Sequence, residues 1–129
     1  MSVIREQLQK AMTVTAGPRG EGFTAEFVLP PDFAGFRGHF VGNPVMPGVC
    51  IIAAVLLGAE TTLGCPLRIA QMTSSKFYSP VLPNLRVAME AAISAHESGY
   101  QVKAKLSAAG RKVAAVTLLV ERRGAEANP

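Results

Sequence analysis

Hydrophobic and polar positions along this chain follow two different periods, and the change of period separates predicted helices from predicted strands. Apolar residues recur at helical spacing over Ser2–Met12, which predicts a short helix. Period-two alternation over Met12–Ala16 and Phe23–Leu29 predicts two strands joined by the turn GPRGEG. The following stretch, Pro30–Pro47, is rich in proline and glycine and predicts a long irregular loop. Loops of this length inside compact domains are often functional.

An almost wholly apolar segment follows this loop and predicts one helix over Gly48–Leu63. Pro47 stands just before the segment, and Gly64 and Pro66 close it, as expected for a helix start and a helix end. The segment is apolar on nearly all sides until Glu60, so the helix must be buried on most sides. In a chain of this length, a sheet wrapped around the helix is the natural way to bury it.

The second half of the chain alternates as strands do and predicts four long strands at hairpin spacing, hence an antiparallel meander. These strands are Leu67–Tyr78, Leu85–His96, Tyr100–Ala108 and Arg111–Glu121. The whole pattern predicts an α+β fold of about six strands around one long central helix. The length of 129 residues predicts a single domain over residues 1–129.

Composition and charge narrow the classes of function. Hydrophobic residues make up 49% of the chain and charged residues 17%, which is typical of a globular protein. The net charge of +4 is a mild basic bias that favours an acidic or phosphate-bearing partner. Nucleic-acid binding is not expected, because the few aromatic residues do not alternate with the basic ones.

The two cysteines, Cys50 and Cys65, have no metal-ligand or CxxC spacing, so neither a metal nor a redox cofactor is expected. The longest apolar run, Val49–Ala59, is shorter than the roughly 20 residues that a membrane-spanning helix needs. The N-terminal residues lack the apolar core of a signal peptide. We therefore expect a soluble, cytoplasmic protein in a reducing environment.

The stretch GHFVGNPVMPGV, Gly38–Val49, carries the chemistry of greatest interest. It has the character of a loop that delivers a catalytic residue, His39, to the start of a buried helix. A histidine that moves protons usually works with a second polar group, and the helix behind this loop has very few.

This stretch resembles the signature of the 3-hydroxyacyl-(acyl carrier protein) dehydratases, which have the hotdog fold (the FabZ/FabA-like family). Their motif is His-Phe-Pro-x-x-Pro, then Val or Ile, Met or Leu, and Pro-Gly-Val. A second piece, KFYSPVLP at Lys76–Pro83, is similar to the family's Lys-Phe-x-x-Pro-Val-x-Pro strand. The resemblance covers roughly residues 23–120. The short N-terminal region resembles most closely the dehydratase-like branch found in aryl polyene and other specialised acyl-chain pathways.

The resemblance implies elimination of water from a 3-hydroxyacyl chain to give a trans-2-enoyl chain, in fatty-acid or related biosynthesis. The substrate would be a thioester of acyl carrier protein or coenzyme A, and no cofactor is implied. His39 would be the base, and the N–H of Gly48 would anchor the thioester carbonyl. The family also implies at least a homodimer, because its histidine and acid face each other across the subunit interface. The expected substrate-binding residues are Phe40, Pro44, Val49 and Ala53.

One departure from the family matters for activity. The family carries Glu or Asp on the helix fourteen positions after the histidine, where this chain has Ala53. Glu60 is about 10 Å further along the helix axis, and Cys50 is a poor acid in apolar surroundings. A missing general acid costs about 10²–10⁴-fold in rate.

Four interpretations therefore stay open. The chain is a dehydratase that works without the usual acid, or it forms a heterodimer with an active homologue that supplies one. Alternatively, it is a non-catalytic subunit that binds acyl thioesters. The interpretation as a thioesterase is weaker, because hotdog thioesterases also generally need a carboxylate or an equivalent polar residue on or near this helix.

Overall fold

The computed structural model describes residues 2–37 and 44–123. Within these ranges, six antiparallel strands form one sheet and the longer of two α-helices packs on one face of it. The helices are α1 (Ser2–Ala11) and α2 (Gly48–Leu63). The strands are β1 (Met12–Ala16), β2 (Gly22–Val28), β3 (Leu67–Phe77), β4 (Arg86–His96), β5 (Gly99–Ala108) and β6 (Arg111–Arg122).

The α+β prediction of six strands around a central helix is confirmed, and α2 has the predicted bounds. Pro47 precedes the helix with an extended backbone, and Gly64 ends it in the left-handed conformation at φ 72°. Within its described residues, 30–37 and 44–47, the predicted irregular loop contains one regular piece, a 3₁₀ turn at Ala34–Phe36. Proline and glycine patterns predicted the helix ends correctly because both residues act locally on the backbone.

The predicted meander is wrong for β3. The strands lie in the order β1-β2-β4-β5-β6-β3, so β3 pairs with β6 at the edge of the sheet and not with β4. The connection from β3 to β4, residues 78–85, contains two prolines and is far longer than a two-residue hairpin loop. This connection is long enough to carry the chain across β5 and β6. The turn residues after β3 therefore did not identify its pairing partner, which is β6.

The core lies between α2 and the facing side of the sheet. Alternate residues of β2, β4, β5 and β6 point toward α2 and pack against its apolar side chains. Full burial of each large apolar side chain is worth about 1.5–3 kcal/mol. The largest fully buried side chains include Phe27, Phe33, Leu29, Met89, Leu106 and Leu118.

Candidate functional site

Two of the predicted site residues, His39 and Phe40, lie outside the described residues. The other four, Gly48, Val49, Pro44 and Ala53, lie at or near the start of α2. The roles given to all six residues therefore remain predictions. The described geometry concerns the residues on either side of positions 38–43 and the start of α2.

Both flanks of the segment that carries His39 are held by backbone hydrogen bonds. On the N-terminal side, the Arg37 N–H donates to the Ala34 carbonyl at 3.1 Å. On the C-terminal side, the Met46 N–H donates to the carbonyl of Val81 at 2.9 Å, and both Met46 and Val81 are buried. The connection between β3 and β4 therefore fixes the residues that lead into α2.

The first turn of α2 has backbone donors without an acceptor among the described residues. In the part of the chain that the structure describes, the N–H groups of Gly48 and Val49 find no acceptor, whereas the Cys50 N–H donates to Pro47 at 3.0 Å. Free N–H groups at a helix N-terminus carry partial positive charge and favour a negatively charged oxygen. The start of α2 is thus able to polarise a carbonyl group placed against it.

Glycine at position 48 leaves room for the aromatic ring of Phe77, which lies directly against it. A Cβ atom added to Gly48 would be 2.9 Å from Cζ and 3.1 Å from Cε2 of this ring. Contacts shorter than 3.0 Å do not occur between real side chains without a shift of one partner. The contact with Phe77 is thus a steric explanation for a glycine at this position, and it is compatible with the predicted role of Gly48 as a carbonyl anchor.

The predicted substrate-binding residues differ in accessibility. Val49 is 64% exposed, whereas Ala53, one turn further along α2, is partly buried against the core. Residues four apart lie on the same helix face, so Val49 and Ala53 form one apolar strip that runs from the free N–H groups. Pro44 is half-buried in the stretch that leads into the helix.

Glu60, the one carboxylate of α2, is engaged elsewhere. Its side chain is 8% exposed, forms an ion pair with Arg5 of α1 and accepts the Leu67 N–H at 2.8 Å. These contacts tie α1, α2 and β3 together and leave Glu60 no role at the opposite end of the helix. The expectation that Glu60 does not replace the missing acid agrees with this geometry.

Cys50 is a buried residue and a poor proton donor. It is 1% exposed, and burial raises the pKa of its thiol above the ordinary value of 9.0. Its sulfur packs beside Gly35 of the preceding loop, where an added Cβ would lie 3.0 Å from Sγ. The thiol therefore helps to pack the loop under α2.

Strand β3 is an edge strand with almost no cover. Only Leu67 of its eleven residues is buried. Its register with β6 places Ile69, Met72 and Phe77 on the side of the sheet that faces α2, yet they are 37%, 50% and 47% exposed. Large apolar side chains on an uncovered strand edge mark a surface that another chain can cover.

One hollow of the described surface lies away from these residues. It has a volume of about 740 Å³ and opens on the face of the sheet opposite α2. Its lining is formed by outward side chains such as Thr15, Glu90 and Lys105, and includes neither Gly48 nor Ala53. We assign it no part in the site, because it lies on the opposite face of the sheet from α2 and none of the predicted site residues that the structure describes lines it.

Residues 2–37 and 44–123 contain no helix with the length and apolar character needed to cross a membrane. They also contain no group of three or more His, Cys, Asp or Glu side chains placed to hold a metal ion.

Sequence reasoning missed Phe77 and the β3 edge. Phe77 stands in the KFYSPVLP stretch that supported the family resemblance, so the signal was present but was not connected with Gly48. Nothing in the local pattern relates residues 48 and 77, which meet only because β3 lies alongside the start of α2.

Comparison with known proteins gives a consistent result. The model of the protein family described as ApeI-like, ApeI dehydratase, matches residues 16–116. The 3-hydroxyacyl-(acyl-carrier-protein) dehydratase FabZ of Wolbachia pipientis subsp. Culex pipiens (strain wPip) is 31% identical over 94 residues, 67% of this chain and 66% of that protein. FabZ of Caulobacter sp. (strain K31) is 35% identical over 89 residues, 62% of this chain and 55% of that protein. The chain thus spans 55–66% of the length of these curated relatives.

A solved structure supports the same fold. The dehydratase heterocomplex ApeI:P from Xenorhabdus doucetiae superposes with a TM-score of 0.72 at 21% identity, over 81% of this chain and 91% of that one. The sheet with its packed helix is a hotdog fold, as the resemblance implied.

Proposed function

Because the chain belongs to the ApeI-like dehydratase family, we propose that it eliminates water from a 3-hydroxyacyl thioester to give the trans-2-enoyl thioester. The observation that carries this proposal is the start of α2, where the N–H groups of Gly48 and Val49 are left without an acceptor among the described residues. The predicted base, His39, stands in the loop that leads directly to these groups.

The proposed chemistry proceeds at two carbon atoms of the substrate. His39 removes a proton from C2, and the negative charge that develops on the thioester oxygen is stabilised by the Gly48 N–H. The electron pair then forms the double bond between C2 and C3 as the C3–O bond breaks. The departing hydroxyl takes a proton and leaves as water, so the reaction needs no co-reactant.

The proton for the departing hydroxyl must come from a group other than a carboxylate at position 53, since that residue is Ala53. We propose that the imidazolium formed on His39 returns its proton to the hydroxyl, so that one residue acts as base and then as acid. When one residue acts as both base and acid, the enzyme loses part of the 10²–10⁴-fold rate increase that a separate general acid contributes. We therefore expect a slow enzyme.

The proposed substrate carrier is an acyl carrier protein or coenzyme A, because the related FabZ proteins bear the name of the acyl-carrier-protein dehydratases. The proposed assembly is a homodimer or a larger homo-oligomer formed through the uncovered edge of β3. A second copy would cover Ile69 and Met72 of this edge. A heterodimer with an active homologue would use the same edge.

A second function is favoured by a specific observation. Of the sixteen residues of α2, Glu60 alone carries a carboxylate, and that carboxylate is bound to Arg5 and the Leu67 N–H. A chain whose helix α2 offers no free carboxylate beside Ala53 is suited to bind an acyl thioester without dehydrating it. In that case it would be a binding subunit.

The deciding experiment is a mass-spectrometric dehydration assay on purified protein with carrier-bound 3-hydroxyacyl thioesters of several chain lengths. The native protein is compared with the His39→Ala and Ala53→Glu variants. We expect water loss by the native protein, a decrease of about 10²–10⁴-fold in His39→Ala, and a gain in Ala53→Glu.

The alternatives give different results in the same assay. If the native protein binds the thioester without turnover and only Ala53→Glu is active, the chain is a binding subunit. Release of free thiol would identify a thioesterase. Water loss that is unchanged in His39→Ala would exclude the proposed base.

A further inference from the structure

The strongest unexplained contact of the described residues is the one between Phe77 and the start of α2. Phe77 is the last residue of β3, and its backbone is paired with Ala114 of β6. A Cβ atom placed on residue 48 would lie 2.9 Å from Cζ, the tip of the Phe77 ring. Phe77 is nevertheless 47% exposed, and the residue it contacts, Gly48, has an N–H group with no acceptor among the described residues.

From this contact we propose that Phe77 is a positioning residue of the thioester site, which orients the carbonyl group against the N–H groups of Gly48 and Val49. This inference rests on the proposed function, since it assigns Phe77 to the same site. The proposal differs from a packing role because a residue needed only for the core would be buried, as Phe27 and Phe33 are at 1% exposure.

Two physical effects support a positioning role. First, the ring lies within van der Waals reach of the Cβ position of Gly48, so a substrate bound at the Gly48 N–H would have an apolar wall beside it, and hydrogen bonds to a developing charge are stronger in less polar surroundings. Second, the ring restricts the approach of a substrate to the remaining side. A misplacement of about 1 Å at such a site costs on the order of 10²-fold in rate.

The neighbouring residue Tyr78 provides a matched control. It is also aromatic and is 52% exposed, close to the 47% of Phe77. Its ring lines the hollow on the opposite face of the sheet, where the Lys112 ammonium lies 5.7 Å from the ring centre. Truncation of Tyr78 thus removes a similar aromatic surface from the end of the same strand but leaves the start of α2 intact.

The test measures two reactions of the full-length protein with a 3-hydroxyacyl pantetheine thioester, in the native form and in the Phe77→Ala, Phe77→Leu and Tyr78→Ala variants. One reaction is loss of water. The other is exchange of the C2 proton with deuterium from D₂O, which needs a base and a carbonyl anchor but no general acid. Urea denaturation of each variant shows whether it is folded under the assay conditions.

We expect Phe77→Ala to lower kcat/KM for both reactions by about 10²-fold, and Tyr78→Ala to change them by less than about 3-fold. Phe77→Leu, which keeps an apolar side chain over the N–H groups, should recover most of the lost activity. If Phe77→Ala and Tyr78→Ala behave alike while the native protein is active, the role of Phe77 is overturned and the proposed function stands.

The exchange reaction separates the two proposals. If the native protein exchanges the C2 proton without losing water, the dehydratase proposal fails, and the exchange rates of the two alanine variants still decide the role of Phe77. If the native protein shows neither reaction, both proposals are overturned.

A double-mutant cycle with Gly48→Ala provides an independent check. Alanine keeps the N–H group but places a Cβ against the Phe77 ring, which must then move. If the ring positions the substrate, Gly48→Ala alone lowers exchange, and adding it to Phe77→Ala causes little further loss. Fully additive effects would contradict a role that depends on the contact between residues 48 and 77.

Discussion

The two ends of α2 differ in how many of their polar groups have hydrogen-bond partners among the described residues. At the C-terminal end, the Gly64 N–H donates to the Glu60 carbonyl at 2.8 Å, and the hydroxyl groups of Thr61 and Thr62 donate to carbonyls of the preceding turn at 2.9 and 2.8 Å. The Glu60 carboxylate is bound by Arg5 and the Leu67 N–H. The side-chain polar groups of this end are thus engaged within the chain.

At the N-terminal end, the described structure leaves polar groups open. Pro47 makes no side-chain cap, and the N–H groups of Gly48 and Val49 have no acceptor among the described residues. The adjacent apolar side chains of Val49 and Phe77 are 64% and 47% exposed.

The difference between the two ends indicates where stability and chemistry are located in this helix. Unsatisfied backbone donors and exposed apolar side chains both lower stability, and a fold that retains them together has a surface suited to a ligand or a partner. Substitutions at the C-terminal end should therefore change the free energy of unfolding, and substitutions at the N-terminal end should change binding or turnover.

The largest effect is expected at the uncovered strand beside the open end. Met72→Glu places a carboxylate in the centre of the β3 edge, where the proposed second copy would bury it. An unpaired charge in an interface costs about 2–5 kcal/mol, so dimer affinity should fall by about 30- to 5000-fold. Analytical ultracentrifugation across a concentration series measures this change, with Thr13→Glu on the opposite edge strand as the control. A native protein that is monomeric at all concentrations would exclude the proposed interface.

The next effect concerns the N–H group of Gly48. Gly48→Pro removes this donor at the first helical position, where proline is well tolerated, and Gly48→Ala adds a similar Cβ but keeps the donor. The proline variant should lose about 10²–10³-fold in kcat relative to the alanine variant, the cost of one oxyanion donor. Equal kcat values in the two variants would show that the Gly48 N–H does not bind the carbonyl.

The smallest effect is expected at the closed end. Glu60→Gln weakens the contacts with Arg5 and the Leu67 N–H and should lower the free energy of unfolding by about 2 kcal/mol. Glu26→Gln is the control, because the Glu26–Arg86 pair is exposed on both sides and contributes less than about 0.5 kcal/mol. Urea denaturation measures both values. A change in kcat of Glu60→Gln at full occupancy of the folded state would argue against the purely structural role assigned to Glu60.

Local sequence signals predicted the elements well and the contacts between them poorly. The bounds of α2 were predicted correctly because Pro47 and Gly64 act on their own backbone angles. The strands were placed within one or two residues because side-chain alternation is a property of each strand alone. The neighbour of β3 was not predicted, since the pairing of two strands depends on residues that are far apart in the chain.

By itself, the sequence determined the hotdog elements, the apolar helix and the His39–Gly48 motif, because each is encoded in consecutive residues. Only the tertiary structure brought Phe77 against Gly48, engaged Glu60 with Arg5 and left β3 uncovered at the edge of the sheet. The physical reason is that these features depend on which long-range contacts bury the most apolar surface and satisfy the most polar groups together. No short stretch of sequence carries that information.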